Sequence, residues 1–133
     1  PNDKAAYSLA GKFGVKLEQA ASLLVATRKA AAQMGLCFHV GSQCMNPDAY
    51  RMAVSIVADL LAQSDVRLDV LDVGGGFPSI YPGMTPPPMQ HYMDAIAESV
   101  RALPGQSGMR RWALLSSRII HCCVGCTRVS GTA

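Results

Sequence analysis

Leu68-Asp-Val-Leu-Asp-Val-Gly-Gly-Gly-Phe-Pro78 joins an apolar segment directly to three consecutive glycines. Its first six residues are dense in Val and Leu and read as a buried strand, which three consecutive glycines end abruptly. A glycine run removes every Cβ from one turn and permits positive φ, so a ligand can approach bare backbone. Exposed N–H groups at such a turn form a concavity suited to an anion, most often a phosphate. On the local pattern alone, the alternative is a flexible turn leading into the proline-rich segment that follows. Phe38-His-Val-Gly-Ser42 is a second strand ending in glycine plus a hydroxyl. The two stretches together favour the anion site.

Upstream, Leu17 to about Met34 fits a helix with Leu17, Ala20, Ala21, Leu24 and Ala31 on one face, and Gly35 at its C-terminal stop. Leu36 to Val40 then alternates. Leu36, Phe38 and Val40 would pack under helices, while Cys37 and His39 would face the interior of a sheet or barrel. Asn46-Pro47 starts a second helix, running to about Gln63, with Tyr50, Ala53, Val54, Val57 and Leu61 as its apolar stripe. Beyond the glycines, Pro78, Pro82, Pro86, Pro87 and Pro88 exclude regular helix or inner strand. A third helix fits Met89 to Leu103, with Tyr92, Ile96, Val100 and Leu103 opposite Asp94, Glu98 and Arg101.

Helices and strands that alternate with short links predict parallel strands joined by crossover helices. The expected class is α/β, either a small open sheet or a partial (β/α)8 barrel. Both bind ligands at the C-terminal strand ends, where His39, Ser42 and Gly74–Gly76 fall. Half a barrel would also present two unpaired strand edges, which predicts instability or aggregation.

Half of the 133 residues are hydrophobic, enough for one modest domain with a core. No run of 18 apolar residues occurs, so no membrane span or membrane partner is expected. The net charge of +3 is unevenly placed. Residues 1–105 carry eight Lys/Arg and all nine Asp/Glu, whereas residues 106–133 carry four arginines and no acid. That basic tail lacks the lysines, repeats or amphipathic period of a nucleic-acid or membrane binder, so no nucleic-acid partner is expected.

Arg110 to Leu115 has the composition to begin a strand; beyond Ser116 no period or cap is found. Residues 106–133 therefore read as an anomalous basic, Cys-rich tail, out of frame or appended, after a 1–105 unit. Five cysteines without a secretory leader argue for a reducing, cytoplasmic setting. Cys123 and Cys126 form a C-x-x-C pair, but His121 and Cys122 adjoin it too closely to complete a tetrahedral site, and no metal is expected.

Phe38-His-Val-Gly-Ser42 followed about thirty residues later by Leu71-Asp-Val-Gly-Gly-Gly-Phe-Pro78 resembles the ornithine, diaminopimelate and arginine decarboxylases of alanine-racemase-like barrel fold. Lys12-Phe-Gly14 sits where that family has the same short motif, and the resemblance covers about residues 5–103. Phe77-Pro78 and Cys44 are more like the ornithine/lysine branch, while Gln43 also occurs in the diaminopimelate branch.

The resemblance implies pyridoxal 5'-phosphate as cofactor and a small amino acid as substrate, ornithine giving putrescine in polyamine biosynthesis. It implies His39 lying flat on the cofactor ring, and Ser42 with Gly74, Gly75 and Gly76 holding the phosphate. Asp72 would be a supporting carboxylate rather than a catalytic acid. The parent is expected to be a cytoplasmic homodimer, and this chain an internal, inactive piece. The family's cofactor-binding lysine would precede Pro1, its Glu-Pro-Gly-Arg motif has no counterpart after the third helix, and its C-terminal β-domain is absent. The alternatives are a diaminopimelate decarboxylase fragment, a non-catalytic regulatory homologue, and a free-standing phosphate- or nucleotide-binding module. The last is disfavoured because no G-x-G-x-x-G turn opens a helix.

Overall fold

Seven elements form in the order α1 (Leu17–Ala30), β1 (Gly35–Cys37), α2 (Asp48–Ser64), β2 (Val70–Asp72), α3 (Met89–Arg101), β3 (Arg111–Ala113) and β4 (His121–Cys123). They come from a computed structural model that describes residues 14–104, 111–113 and 121–123. The strands make one parallel sheet in the order β3-β2-β1-β4. β1, β2 and β3 lie side by side in chain order, with α2 and α3 as the crossovers between them. That sequential winding is part of a (β/α)8 barrel wall, and the α/β class read from the sequence holds.

Strand parity sets which side chains meet the helices. Leu36 pairs in register with Leu71, and Cys37 with Asp72. Leu36, Phe38, Leu71 and Val73 join a core with Ala20 and Leu24 of α1, Tyr50, Val54, Val57, Leu60 and Leu61 of α2, and Tyr92, Ile96 and Val100 of α3. Each fully buried Leu or Val contributes about 1.5–3 kcal/mol. Cys37 and His39 occupy the opposite parity and remain half-buried. The alternation read for residues 36–40 is thus correct for Leu36 and Phe38, and Val40 packs against the same core.

Three sequence expectations need correction. Gly35 is not the stop of α1: the helix ends at Ala30, Ala31 is extended (φ −114°, ψ 134°), and Gly35 opens β1. The early stop is tertiary in origin. Arg28 donates to the carbonyls of Ala31 (2.5 Å) and Ala32 (2.9 Å) and to the Asp69 carboxylate (2.8 Å). Asp69 in turn accepts from the Met34 N–H (2.8 Å), which ties the helix end to the entrance of β2. The second correction is Leu17, assigned to the buried stripe but 49% exposed. It lies in the first helical turn, outside the patch that the sheet covers.

The third concerns the region past Ser116, where no element was anticipated. His121–Cys123 pairs parallel with β1, Gly35 opposite His121, while Arg111–Ala113 pairs parallel with β2 as its composition allowed. A bare strand edge offers N–H and C=O groups that any extended segment can satisfy. The β1–β2 pair is consequently flanked on both sides among the described residues.

The second and third helices start where expected. Asn46 Oδ1 accepts the Asp48 N–H (2.9 Å) ahead of α2, and α3 begins directly after Pro88. Residues 73–88 contain no helix or strand, as their prolines require.

Candidate functional site

The site is built where the chain leaves β1 and β2. Asp72, 2% exposed, accepts the Gly74 N–H through Oδ1 (2.8 Å) and so fixes the entry to the glycine turn. Gly74 (φ +70°) and Gly76 (φ +97°) both adopt left-handed backbone, which L side chains disfavour. Space imposes the same choice. A Cβ on Gly74 would fall on the Phe38 carbonyl oxygen, and one on Gly76 on the Gly41 carbonyl oxygen. The loops after the two strands therefore touch backbone to backbone. Two further bonds hold them together, the Cys44 N–H to the Gly76 carbonyl (2.8 Å) and the Ser79 N–H to Gln43 Oε1 (2.8 Å).

His39 is brought to the same place. A Cβ added at Gly75 would lie 3.9 Å from His39 Nε2, and one at Gly76 3.2 Å from Cε1, so the imidazole borders the turn. Its Nδ1 accepts the Gly41 N–H (2.8 Å). In the neutral ring the proton must then sit on Nε2. Partial burial pushes the His39 pKa below its ordinary value of 6.5.

As pH falls through 6.5 the unfolded chain takes up the proton first, so this contribution to stability is full above 6.5 and is lost toward the lower folded value. A histidine-selective NMR titration is expected to show a His39 midpoint below 6.5 and the Nε2–H tautomer at neutral pH. A midpoint above 6.5, or protonated Nδ1 in the neutral ring, would contradict this geometry.

The donors left over define what the site can hold. Among the described residues, the N–H groups of Gly75 and Gly76 and the hydroxyl of Ser42 make no hydrogen bond. Ser42 lies on the 41–44 loop that packs against the turn. Two open backbone donors, a free hydroxyl and a neutral flat imidazole fit a phosphate carried on an aromatic ring. The structure thus brings His39, Gly74, Gly75 and Gly76 together, with Ser42 on the adjoining loop.

Sequence reasoning missed the ring cluster behind the turn. Tyr50 and Phe77 stack at 5.1 Å with 8° between planes, and Tyr92 meets both edge-on, at 6.0 Å and 5.8 Å. Tyr50 donates to the Gly75 carbonyl (2.9 Å) and Tyr92 to the Cys44 carbonyl (2.9 Å). Burial raises both phenol pKa values, so both remain donors at neutral pH. A signal was available: tyrosine, unlike Leu or Phe, needs a polar partner when it sits in a buried stripe.

Among the described residues no group of three or more His, Cys, Asp or Glu is arranged to hold a metal ion, and no helix is long and apolar enough to cross a membrane. Lys4, Lys12, Phe13 and Cys126 lie outside the described residues, as do residues 105–110.

The family model described as "Pyridoxal-dependent decarboxylase, pyridoxal binding domain" matches residues 3–113. The lysine/ornithine decarboxylase of Selenomonas ruminantium is 42% identical over 81 residues, 58% of this chain and 21% of that protein. Antizyme inhibitor 2 of Homo sapiens is 37% identical over 71 residues, 50% of this chain and 15% of that protein. The structure of lysine/ornithine decarboxylase from Vibrio vulnificus, complexed with cadaverine, superimposes with a TM-score of 0.65 at 27% identity, covering 91% of this chain and 31% of that one. The chain spans 15–21% of the length of these two curated relatives. With more than half its length matched, and the glycine turn and His39 brought together, the chain belongs to the pyridoxal-binding domain family of the pyridoxal-dependent decarboxylases.

Proposed function

We propose that this chain supplies the phosphate-binding turn and one ring face of a pyridoxal 5'-phosphate site in a basic amino-acid decarboxylase, with ornithine converted to putrescine. The observation that carries the reading is the His39 imidazole bordering a turn whose Gly75 and Gly76 N–H groups are open. The Gly74–Gly76 turn and Ser42 would hold the phosphate, and His39 would lie against the ring. Bound there, the cofactor supplies an electron sink for the pair left on the substrate carbon when CO₂ departs. The chain's own residues bind and orient. Open N–H donors and the Ser42 hydroxyl take phosphate oxygens, and the neutral imidazole shields one ring face from water and stray protons.

The preference for ornithine or lysine draws support from the two lysine/ornithine decarboxylases among the relatives. The same reading takes the decarboxylase as a cytoplasmic homodimer in polyamine biosynthesis. It also takes residues 1–105 as the cofactor-binding segment and 106–133 as a basic, Cys-rich tail, on the contrast in charge between them.

By itself the 133-residue chain is expected not to release CO₂ from ornithine. Of its lysines, Lys16 and Lys29 are exposed, at the start and in the last turn of α1. Release of CO₂ by the isolated chain would sink this part of the proposal.

Equilibrium binding of pyridoxal 5'-phosphate against pyridoxal, read by ring fluorescence, tests the cofactor reading. Tighter binding of the phosphorylated form is expected; equal binding of the two would refute it. The similarity to antizyme inhibitor 2 supports a second reading, a non-catalytic homologue. A folded chain that binds neither compound would favour that reading.

A further inference from the structure

We propose that Tyr50 is a positioning residue for the phosphate turn, acting through the Gly75 peptide; the inference rests on the cofactor reading above. Three consecutive glycines are the most permissive backbone a chain can offer, so the direction of their N–H groups has to be imposed from outside the run. Three contacts impose it. Asp72 Oδ1 takes the Gly74 N–H, the Tyr50 hydroxyl donates to the Gly75 carbonyl, and the Cys44 N–H donates to the Gly76 carbonyl.

The second contact decides the Gly76 N–H. In a planar trans peptide the C=O and N–H point in opposite directions. Holding the Gly75 oxygen toward α2 therefore turns the Gly76 N–H away from α2. That N–H has no partner among the described residues. Without the hydroxyl, rotation of the Gly75–Gly76 peptide meets no side chain on either residue, and the donor is lost from the site for part of the time.

Tyr50 is well held for the task. Its side chain is fully buried, its ring stacks on Phe77 immediately after the turn, and Tyr92 packs against both rings. The carbonyl can only accept, so the hydroxyl is the donor without ambiguity. Tyr50 meets the turn through the Gly75 carbonyl, which in a trans peptide points opposite to the Gly76 N–H.

Tyr50→Phe keeps the ring and removes the bond. In the full 133-residue chain the variant is expected to bind pyridoxal 5'-phosphate roughly fivefold to tenfold more weakly. Affinity for pyridoxal, which lacks the phosphate, is expected to be unchanged. In the ligand-free variant the Gly75 carbonyl ¹³C resonance is expected to shift, a readout independent of any cofactor.

A variant that keeps the wild-type preference for the phosphorylated form overturns the proposal. So does one that loses both compounds equally together with a lower unfolding temperature, since that is a purely structural role. Absence of the preference in the wild-type chain is a different failure. It is read before any substitution and removes the cofactor reading on which the proposal stands.

Discussion

Gly76→Ala is expected to destabilise the chain by on the order of 3 kcal/mol and to abolish preferential binding of the phosphorylated cofactor. Two costs act at once. At φ +97° the alanine is strained, and its Cβ falls on the Gly41 carbonyl oxygen, which is backbone and cannot rotate away. Relief requires the 41–44 and 74–77 loops to separate, which breaks the Cys44 N–H to Gly76 bond. Gly75→Ala is the internal control. It has no positive φ, and its nearest neighbour would be His39 Nε2 at 3.9 Å, so a stability change within about 1 kcal/mol is expected. Denaturant unfolding of the two variants measures the difference. Equal costs at the two positions would show that the loops do not meet as described.

Tyr92→Ala is expected to cost about 3–5 kcal/mol, and Tyr92→Phe only about 1–2 kcal/mol. The side chain is fully buried where α3 meets α2 and the loop after β1. Truncation to alanine opens a cavity against the rings of Tyr50 and Phe77. Phenylalanine keeps that packing and leaves only the buried Cys44 carbonyl without its donor. Thermal unfolding separates the two terms. A phenylalanine variant as damaged as the alanine one would mean that the hydroxyl, not the ring, holds these elements together.

Much of the fold was legible because it depends on local pattern. The alternation at 36–40 put Leu36 and Phe38 on the helix side of the sheet, and Pro88 marked the start of α3. The glycine run and Phe38–Ser42 likewise announced that they meet at one end of the sheet, since both are strand ends in a parallel fold. What was not legible depends on distant partners. Nothing between Leu17 and Met34 signals that α1 ends at Ala30; the stop is made by Arg28 meeting Asp69, 41 residues away. The Tyr50 hydroxyl finds its carbonyl 25 residues downstream, a contact that no periodicity encodes. β4 carries no hydrophobic period at all, and its place is set by the free edge of β1.

On the proposed function, the Gly74–Gly76 turn presents N–H donors to a phosphate beside His39. A ¹⁵N-glycine spectrum of the intact chain, titrated with pyridoxal 5'-phosphate, is the decisive test. Saturable downfield shifts of the Gly75 and Gly76 amides are predicted, with pyridoxal leaving both in place. If the phosphorylated cofactor binds while these two amides stay still, the phosphate is held elsewhere and the site has been misassigned.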